Sequence, residues 1–548
     1  MNKFFIKKIR DIRLGIPFLP NMLEKCHEIM RGRTISLEMH HVSVNKVLKI
    51  LRGLKASKSI NIDTLDSYSV KISADIIAPP LHHIICLSIM QQKFPSEWKY
   101  SKVIPLHKRD SKLDKKNYRP VAILSPLSKI LERVVYDQLN SYFIRNKIFN
   151  EHLHGFRSNR STQTALLTMY DRWTRAASQG QISGVVLMDL SAAFDLVDHQ
   201  LLLKKLGIYG VKGDFMEWIK SYLSERFQSV WIDHILSSSV HCEFGVPQGS
   251  ILGPLFFLIF SNDLPAQLDS HADAYADDTT LTASGYTISE VEQTLNRDCA
   301  TVSNWMKSNL QKLNADKCHI LTMGTRRKLN SINRLIEVKI DGVALGVTPS
   351  ETLLGCNIQE DLKWHDQVDA LTKRLTIRLN ALSLLRYCCP YSIKKSIAEA
   401  IFTSVLAYCI PVFGGLDKNG IHSLQIIQNK AAHIVCQAPS YAKRSLMYEK
   451  LGWLTLNQLI SYHTLLTIHK IRASREPKYL ANYLTIDSRN GRIMVPNQML
   501  SISLKSFCFR GANQWNLLPY SMRIENNFKP FKKKLKEWTL TNVPMFLD

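Results

Sequence analysis

The sequence has no long apolar run. Its best run, residues 251–260, is interrupted by Gly253 and Pro254, whereas a membrane-spanning helix needs about 18 consecutive apolar residues. The basic N-terminus lacks the apolar stretch and the small-residue cleavage site of a secretory signal. We therefore expect no membrane segment and no secretion.

Cysteine occurs without any recognisable pattern. The eleven cysteines show neither the paired spacing of zinc sites nor the density of a small disulfide scaffold. Cys388 and Cys389 are adjacent, which suits neither chelation nor an ordinary disulfide bridge. We expect most of these thiols to fill cores, and we expect an intracellular protein of the nucleus and cytoplasm.

Acidic residues are also scarce relative to basic ones. The chain has 71 Lys and Arg against 46 Asp and Glu, a formal net charge of +25. Such a surplus favours phosphate backbones as partners, although a merely basic protein or one that lies on an anionic membrane is the alternative. At 548 residues the chain exceeds what one hydrophobic core supports, so we expect several domains or subdomains.

Hydrophobic periodicity predicts a mixture of helices and strands. Strands are expected over residues 102–109, 185–188 and 228–232, and a hairpin over 272–282. Amphipathic helices are expected over 127–139, from the cap at Ser161, and over 215–222, 255–260 and 288–305. We predict the α+β class, with an antiparallel sheet, including 228–232, that has helices on one face. Beyond about Val347 the pattern predicts helices only.

Three aspartates lie next to apolar segments, at two places in the chain. Asp189 comes directly after residues 185–188, and Asp277 and Asp278 occupy the turn of the predicted hairpin. Adjacent aspartates are also common in ordinary hairpin turns, so this pair alone decides little. A strand that ends in Asp189 beside the hairpin would bring the three carboxylates together.

Such a group of carboxylates predicts a divalent-metal site. Three carboxylates repel one another in a cleft of low dielectric constant unless cations neutralise them. Mg²⁺ prefers hard oxygen ligands and shares its shell with phosphate oxygens, and two ions suit in-line phosphoryl displacement. We expect two Mg²⁺ ions, with Mn²⁺ as a substitute, and nucleotidyl transfer as the reaction.

Two further segments predict contacts with a deoxynucleotide. The ring of Phe194, beside the metal site, would collide with a ribose 2′-hydroxyl; an ordinary core phenylalanine is the alternative. Residues 245–250 (Gly-Val-Pro-Gln-Gly-Ser) carry Gln248 and Gly249 just ahead of a predicted helix. Glycine lets a backbone approach a base or phosphate closely, although a plain turn and helix cap has the same composition.

Cations near the predicted site would bind a triphosphate. Lys108 and Arg119 flank a polar loop, and Arg119 precedes the conformationally fixed Pro120. Cations so placed would balance the charge of an incoming triphosphate, and a solvated hairpin tip is the alternative. Lys317 is a further candidate, either for the phosphates or as a proton donor to pyrophosphate.

In this order the elements resemble reverse transcriptases, and more narrowly those of non-LTR, LINE-type retrotransposons of the jockey-like group. The resemblance covers about residues 40–375 and rests on eight motifs, at 117–120 (Asn-Tyr-Arg-Pro), 127–133, 154–157 (His-Gly-Phe-Arg), 189–195 (Asp-Leu-Ser-Ala-Ala-Phe-Asp), 245–254, 275–278 (Tyr-Ala-Asp-Asp), 313–317 and 354–355.

The resemblance implies a right-hand polymerase that copies an RNA template into DNA from a DNA primer or target, with deoxynucleoside triphosphates as substrates. It implies template contacts at Gly155, Phe156 and Arg157 and catalysis at Asp189, Asp277 and Asp278, on a ferredoxin-like palm. The expected divisions are a basic N-terminal extension at 1–40, fingers and a helical region at 41–180, the palm at 181–345, an α-helical thumb at 346–450 and a basic C-terminal helical extension of unknown role at 451–548.

Two other interpretations stay open at this stage. A domesticated or decayed copy would bind RNA without turnover; complete elements of the group carry an endonuclease ahead of the polymerase, and only about a hundred residues precede the first predicted strand here. A group II intron maturase or a telomerase-like enzyme would share the palm but needs accessory domains that no motif here indicates.

Overall fold

The computed structural model describes residues 1–17, 19–20, 22–108, 110–439, 441–487, 489–495 and 501–545. Helices and strands alternate along the first two thirds of these residues and helices dominate the last third, which confirms the α+β class. The strands are β1 (Tyr100–His107), β2 (Tyr118–Ile123), β3 (Ile182–Met188), β4 (Arg226–Ile232), β5 (Ile235–Leu236), β6 (Val240–Cys242), β7 (His271–Tyr275), β8 (Asp278–Gly285), β9 (His319–Met323), β10 (Lys339–Ile340), β11 (Val343–Ala344), β12 (Gly346–Val347), β13 (Ser350–Leu353) and β14 (Cys356–Gln359).

The helices up to the end of the sheets are α1 (Asn2–Leu14), α2 (Glu24–Met30), α3 (Val44–Arg52), α4 (Ser67–Ile72), α5 (Ala74–Met90), α6 (Pro126–Arg145), α7 (Thr162–Ser178), α8 (His199–Ile208), α9 (Gly213–Leu223), α10 (Leu252–Phe260), α11 (Ile288–Ser308) and α12 (Arg326–Asn330). Those that follow are α13 (His365–Leu384), α14 (Tyr391–Ala398), α15 (Ser404–Leu406), α16 (Ile410–Phe413), α17 (Lys418–Cys436), α18 (Arg444–Leu451), α19 (Leu456–Ser474), α20 (Lys478–Tyr483), α21 (Ser501–Leu504), α22 (Phe507–Asn516), α23 (Tyr520–Arg523) and α24 (Phe528–Asn542).

The predicted amphipathic helices are confirmed, and local signals explain where they begin. Helix α7 begins after Ser161, whose hydroxyl accepts from the Thr164 backbone while the Thr164 side chain accepts from the Ser161 backbone. This reciprocal capping satisfies two backbone donors that a helix start leaves unpaired. Helix α6 begins with Pro126, whose fixed φ and missing N–H suit the first helical position.

The central sheet has the strand order β12-β9-β3-β8-β7. All neighbouring pairs are antiparallel except β12 with β9. Strand β3 lies in the middle, and its side chains enter two different cores: Val186 packs in the core that contains α11, and Val185 in the core that contains α7. The prediction of helices on one face was therefore wrong, because a continuously apolar strand is one that is covered on both faces.

The second sheet has the order β2-β1-β4-β5, with β6 also paired to β4. Strand β4 runs parallel to β1, and Tyr100 pairs with Phe227. The predicted placement of residues 228–232 in the aspartate-bearing sheet was therefore wrong. Both edges of β3 are occupied by β8 and β9, and periodicity identifies a strand without identifying its partner.

The C-terminal half forms the second core. Buried side chains of α13, α17, α19, α22 and α24 pack together there with those of α7. The prediction of helices beyond Val347 is confirmed, except that the antiparallel pair β13 and β14 precedes them. The described parts of 346–450 and 451–548 share this one core.

Helix α1 packs against the second sheet and does not extend away from the molecule. Phe5, which is 5% exposed, packs with Val103 of β1 and Val230 of β4. Within the described ranges, no helix combines the length and the apolar character that crossing a bilayer requires.

Candidate active site

Two strands of the central sheet position the three aspartates. Strand β3 pairs with β8 through Met188 and Thr279, so Asp189 directly follows the paired strand and Asp278 directly precedes Thr279. Tyr275 pairs with Asp278 across a hairpin whose two-residue turn is Ala276 and Asp277. The predicted hairpin beside the Asp189 strand is thus confirmed. Ala276 has φ +61°, a left-handed conformation that is sparsely populated outside glycine and that clusters at functional sites.

The three carboxylates affect one another electrostatically. Burial, followed by the negative charges of Asp277 and Asp189, raises the pKa of Asp278 to about 6. Arg119 and Lys108 act in the opposite direction. A raised carboxyl pKa in a cleft with two like charges indicates a place where added positive charge is stabilising.

Asp189 is held by the segment that leads into β9. The backbone N–H of Asn314 donates to the Asp189 carbonyl over 2.9 Å, and its side-chain amide donates to Asp189 Oδ2 over 3.3 Å. Lys317 Nζ lies 3.0 Å from the same Oδ2. The structure therefore places the Lys317 ammonium against the Asp189 carboxylate. Lys317 thus lies beside the predicted metal site, as expected for a residue predicted to contact phosphates there.

The three aspartates offer the oxygen ligands that Mg²⁺ prefers. Among the described residues, no group of three or more His, Cys, Asp or Glu side chains is arranged as a metal-ligand set. The Asp189 carboxylate is instead paired with Lys317. The carboxylate oxygens of the three aspartates fit a hard divalent cation. The ammonium of Lys317 neutralises part of the negative charge that such a cation would otherwise neutralise.

A cavity of about 590 Å³ opens beside Asp189 and Asp277. All six residues predicted for the nucleotide line it, together with one predicted for the template; those that do are Lys108, Arg119, Phe156, Phe194, Gln248, Gly249 and Lys317. Gly155, Arg157 and Asp278 are outside this lining. Arg109, the second cation of the predicted strand end, lies outside the described residues.

Phe194 stands on the cavity wall and its ring is fixed by two others. It stacks on Phe257 with the ring centroids 4.7 Å apart, and it meets Phe156 edge-on at 6.0 Å. These are the preferred arrangements of aromatic pairs. Phe194 is half-buried, packs against the core that contains α11 and borders the cavity, so it is both a core contact and part of the cavity wall.

Gln248 and Gly249 join the cavity to strand β2. The Ala122 N–H donates to the Gln248 carbonyl over 2.8 Å. Gly249 has φ +123°, and a Cβ there would lie 2.3 Å from the Ala122 carbonyl oxygen. Only glycine combines that conformation with that approach, so Gly249 is required for the close contact between this turn and the second sheet.

Lys108 and Arg119 lie at the loop end of the β1–β2 hairpin. Arg119 pairs with Leu106, and the Lys108 N–H donates to the Asn117 carbonyl over 2.8 Å. Both side chains are exposed and reach the same cavity. The hairpin therefore places two cations on the lining of the cavity that Asp189 and Asp277 also line.

Residues 154–157 run beside the β7–β8 turn. A Cβ on Gly155 would lie 2.5 Å from the Ala276 backbone nitrogen, so this glycine allows close packing under the aspartate hairpin. Phe156 reaches the cavity. Arg157 does not, because its guanidinium donates to the carbonyls of Asn150 and Leu153.

Sequence reasoning missed a buried charge network behind the hairpin. The Asp273 carboxylate on β7 contacts Arg172 of α7, and its Oδ1 lies 3.0 Å from His152 Nδ1 and 3.2 Å from His154 Nε2. Burial would raise the pKa of Asp273, but Arg172 and the two histidines hold it well below its ordinary range. The sequence contains one signal of this network, an aspartate between two alanines in an apolar strand, because a buried charge is normally paired with an opposite charge.

Comparison with known proteins identifies the domain that carries this cavity. Residues 106–370 match the family described as reverse transcriptase (RNA-dependent DNA polymerase). Residues 106–370 are therefore similar to reverse transcriptase domains. The match begins inside β1 and includes the rest of the second sheet, the central sheet, the three aspartates and every cavity residue named above.

Three Drosophila melanogaster relatives extend the similarity beyond the reverse transcriptase domain. The probable RNA-directed DNA polymerase from transposon BS is 27% identical over 454 residues, 78% of this chain and 48% of the relative. The RNA-directed DNA polymerase from mobile element jockey is 25% identical over 459 residues, which are 81% of this chain and 50% of the relative. The probable RNA-directed DNA polymerase from transposon X-element is 25% identical over 386 residues, 68% and 41%.

The predicted resemblance to jockey-like non-LTR polymerases is confirmed. The chain spans about half the length of the curated relatives it matches.

Proposed function

We propose that this chain is an RNA-directed DNA polymerase of a non-LTR retrotransposon, which extends a DNA 3′-hydroxyl on an RNA template with deoxynucleoside triphosphates. The observation that carries the proposal is one cavity that is lined both by Asp189 and Asp277 and by cations, namely Lys108, Arg119 and Lys317. Nucleotidyl transfer needs both, because metal ligands and phosphate-binding cations must act on the same triphosphate.

The proposed architecture is a right hand. Residues 41–180 would form fingers, which contain the β1–β2 hairpin, and 181–345 a ferredoxin-like palm around the central sheet. Residues 346–450 would form the thumb, and 451–548 a C-terminal helical extension. The supporting observation is that Asp189 and Asp277 adjoin strands of one sheet, that Lys108 and Arg119 belong to the hairpin of the other, and that all four line one cavity.

Asp189, Asp277 and Asp278 would hold two Mg²⁺ ions, for which Mn²⁺ is the proposed substitute. When bound, these ions would supply activation of the primer hydroxyl and stabilisation of the leaving pyrophosphate. The raised pKa of Asp278 supports this placement, since burial and two like charges already disfavour an uncompensated carboxylate there.

The chain's own residues would bind and orient the nucleotide. Lys108, Arg119 and Lys317 would contact its phosphates, and Gln248 and Gly249 would support its base and sugar. The ring of Phe194 would exclude a 2′-hydroxyl, because its two aromatic contacts leave it little room to move aside.

On the template side, Gly155 and Phe156 would lie along the path of the RNA. Arg157 would act there mainly by shaping the segment, since it donates to two of that segment's carbonyls. We propose an intracellular site of action in the nucleus and cytoplasm. The eleven cysteines, all described and all free, suit a reducing compartment.

The test is primer extension by the purified chain on an RNA template with Mg²⁺ and deoxynucleotides. We expect extension by the wild type, none by Asp277→Asn, and RNA binding within about twofold of wild type for that variant, because the change removes one ligand charge without altering the fold.

The matched control is Asp233→Asn, since Asp233 is an exposed turn aspartate at φ +48° outside the cavity. It should extend primers normally. If the wild type binds RNA but extends no primer under varied primer, metal and salt conditions, the chain is instead a binding-only copy.

A further inference from the structure

Helix α1 contributes to the wall of the cavity that the proposed function assigns to the nucleotide. Lys8 and Ile12, one helical turn apart, both line it. Sequence reasoning placed residues 1–40 in a basic extension and gave them no part in the site.

The helix is anchored firmly enough to define a binding wall. At its start the Asn2 amide donates to the carbonyls of Gln228 and Ser238 over 3.0 and 2.9 Å. At its end Arg13 pairs with Asp198, with Nη2 and Oδ2 2.7 Å apart. The Arg13 guanidinium also lies 3.8 Å from the centroid of the Phe244 ring. Contacts at both ends therefore fix the position of the residues between them.

Two other long cations of the helix are already engaged, whereas Lys8 is not. Arg10 pairs with Glu243 and Arg13 with Asp198. Lys8 is exposed and makes neither a hydrogen bond nor a salt bridge with any residue within the described ranges. Its charge does reach Asp195, where burial raises the pKa of the carboxyl and Lys8 counteracts that rise.

We infer that Lys8 is a further nucleotide-binding residue, which contacts a phosphate of the incoming deoxynucleoside triphosphate from the N-terminal helix. This inference rests on the proposed polymerase function and adds a residue to the same site. The geometric basis is that Lys8 shares one cavity with Arg119, Lys108 and Lys317, so that these cations surround a space bordered by Asp189 and Asp277.

A phosphate of the nucleotide fits this position better than a phosphate of the template. Lys8 lies with Phe194 and Gln248, the residues proposed to contact the nucleotide's sugar and base. Of the three residues proposed for the template side, only Phe156 reaches the cavity lining, and Gly155 and Arg157 lie outside it. A lysine ammonium on a flexible stem is also a suitable point charge for a phosphate oxygen.

The experiment compares Lys8→Ala with Lys7→Ala and Lys8→Arg. Lys7 is equally exposed on the same helix and lines none of the cavities around the site. The measurement is the nucleotide KM and kcat in primer extension, with the affinity of the chain for primer–template RNA determined separately. We expect Lys8→Ala to raise the nucleotide KM about fivefold with little change in kcat, as for an exposed charged contact.

Lys8→Arg should restore most of the affinity, and Lys7→Ala should match the wild type. The inference is overturned if the KM of Lys8→Ala stays within twofold of that of Lys7→Ala. It is also overturned if Lys8→Ala weakens primer–template binding while the nucleotide KM is unchanged, which would assign Lys8 to the nucleic acid.

A second readout separates this inference from the polymerase proposal. Equilibrium binding of a fluorescent deoxynucleoside triphosphate to the chain with its primer–template needs no turnover. If the wild type binds the nucleotide without extending the primer, the polymerase proposal fails, while weaker binding by Lys8→Ala still supports Lys8 as a phosphate contact. Equal nucleotide binding by Lys8→Ala and Lys7→Ala in this assay counts against it.

Discussion

Gln248 Nε2 lies 3.0 Å from each carboxylate oxygen of Asp195. This contact ties the loop after β3 to the turn before α10, on the wall of the cavity proposed for the nucleotide. The two segments also touch through their backbones, because a Cβ on Gly245 would lie 2.7 Å from the Asp195 Cα. The orientation of Gln248 therefore depends on the charge of a half-buried carboxylate.

Asp195 should make nucleotide binding depend on pH. Burial raises its pKa to about 6, and its hydrogen bond from Gln248 opposes the rise. Because its pKa of about 6 is below 7, Asp195 is ionised at pH 7, and it becomes protonated as the pH falls through about 6. Protonation weakens the charge-assisted hydrogen bond that orients Gln248. We expect the wild-type nucleotide KM to rise between pH 7 and pH 5.

The Asp195→Asn variant should lose that part of the pH dependence. The comparison is made at saturating Mg²⁺, since Asp278 also has a pKa of about 6 and contributes equally to both proteins. Superimposable profiles for the two proteins would show that Asp195 does not act through its charge.

Phe194→Ala should admit ribonucleotides. Removing the ring opens the cavity wall at the place where a 2′-hydroxyl would collide, and it removes the ring contacts with Phe257 and Phe156. We expect the ratio of kcat/KM for a deoxynucleotide to that for the matching ribonucleotide to fall at least about tenfold. Phe194→Tyr keeps the bulk and should keep the ratio. Unchanged discrimination in Phe194→Ala would reject the assignment.

Gly249→Ala should damage activity through both backbone conformation and contact. A Cβ would meet the Ala122 carbonyl at 2.3 Å, at φ +123°. We expect a loss of about 1–3 kcal/mol in unfolding free energy and at least a tenfold loss of primer extension. Gly180→Ala is the control, because Gly180 has φ +76° with nothing within 4 Å; it should lose about 1 kcal/mol and keep its activity. Equal activity of the two variants would contradict the prediction.

Lys205→Met should strongly destabilise the core that contains α11. Lys205 Nζ lies 2.6 Å from Asp263 Oδ1 and donates to the Phe260 carbonyl, and both charged side chains are 0% exposed. Trp305 donates to the other Asp263 oxygen over 2.8 Å. Removing one partner leaves a buried charge uncompensated, which costs about 3–5 kcal/mol.

Denaturant unfolding checks that value, with Arg52→Met as the control. The Arg52–Asp75 pair is about as close, at 2.5 Å, but 61% and 66% exposed, so its loss should cost less than about 1 kcal/mol. Similar losses in the two variants would show that burial does not control the contribution of these pairs.

Much of the site could be predicted because its signals are local. The apolar run before Asp189 and the turn at Asp277 identify a strand end and a hairpin without knowledge of anything distant. The Asp273 network could not be predicted in the same way. Its four members come from three separate segments, and no local pattern states which buried cation a buried carboxylate meets.

The sequence by itself determined the helices and strands, the positions of the three aspartates at their ends, and the resemblance to reverse transcriptases, because periodicity, caps and turns depend on neighbouring residues. Only the tertiary structure decided that β4 belongs to the second sheet, that both faces of β3 are covered, that Gln248 meets Asp195 and that α1 brings Lys8 to the nucleotide cavity. Each of these depends on which surfaces pack together across long separations in the chain, and that choice is made by burial and shape over the whole molecule.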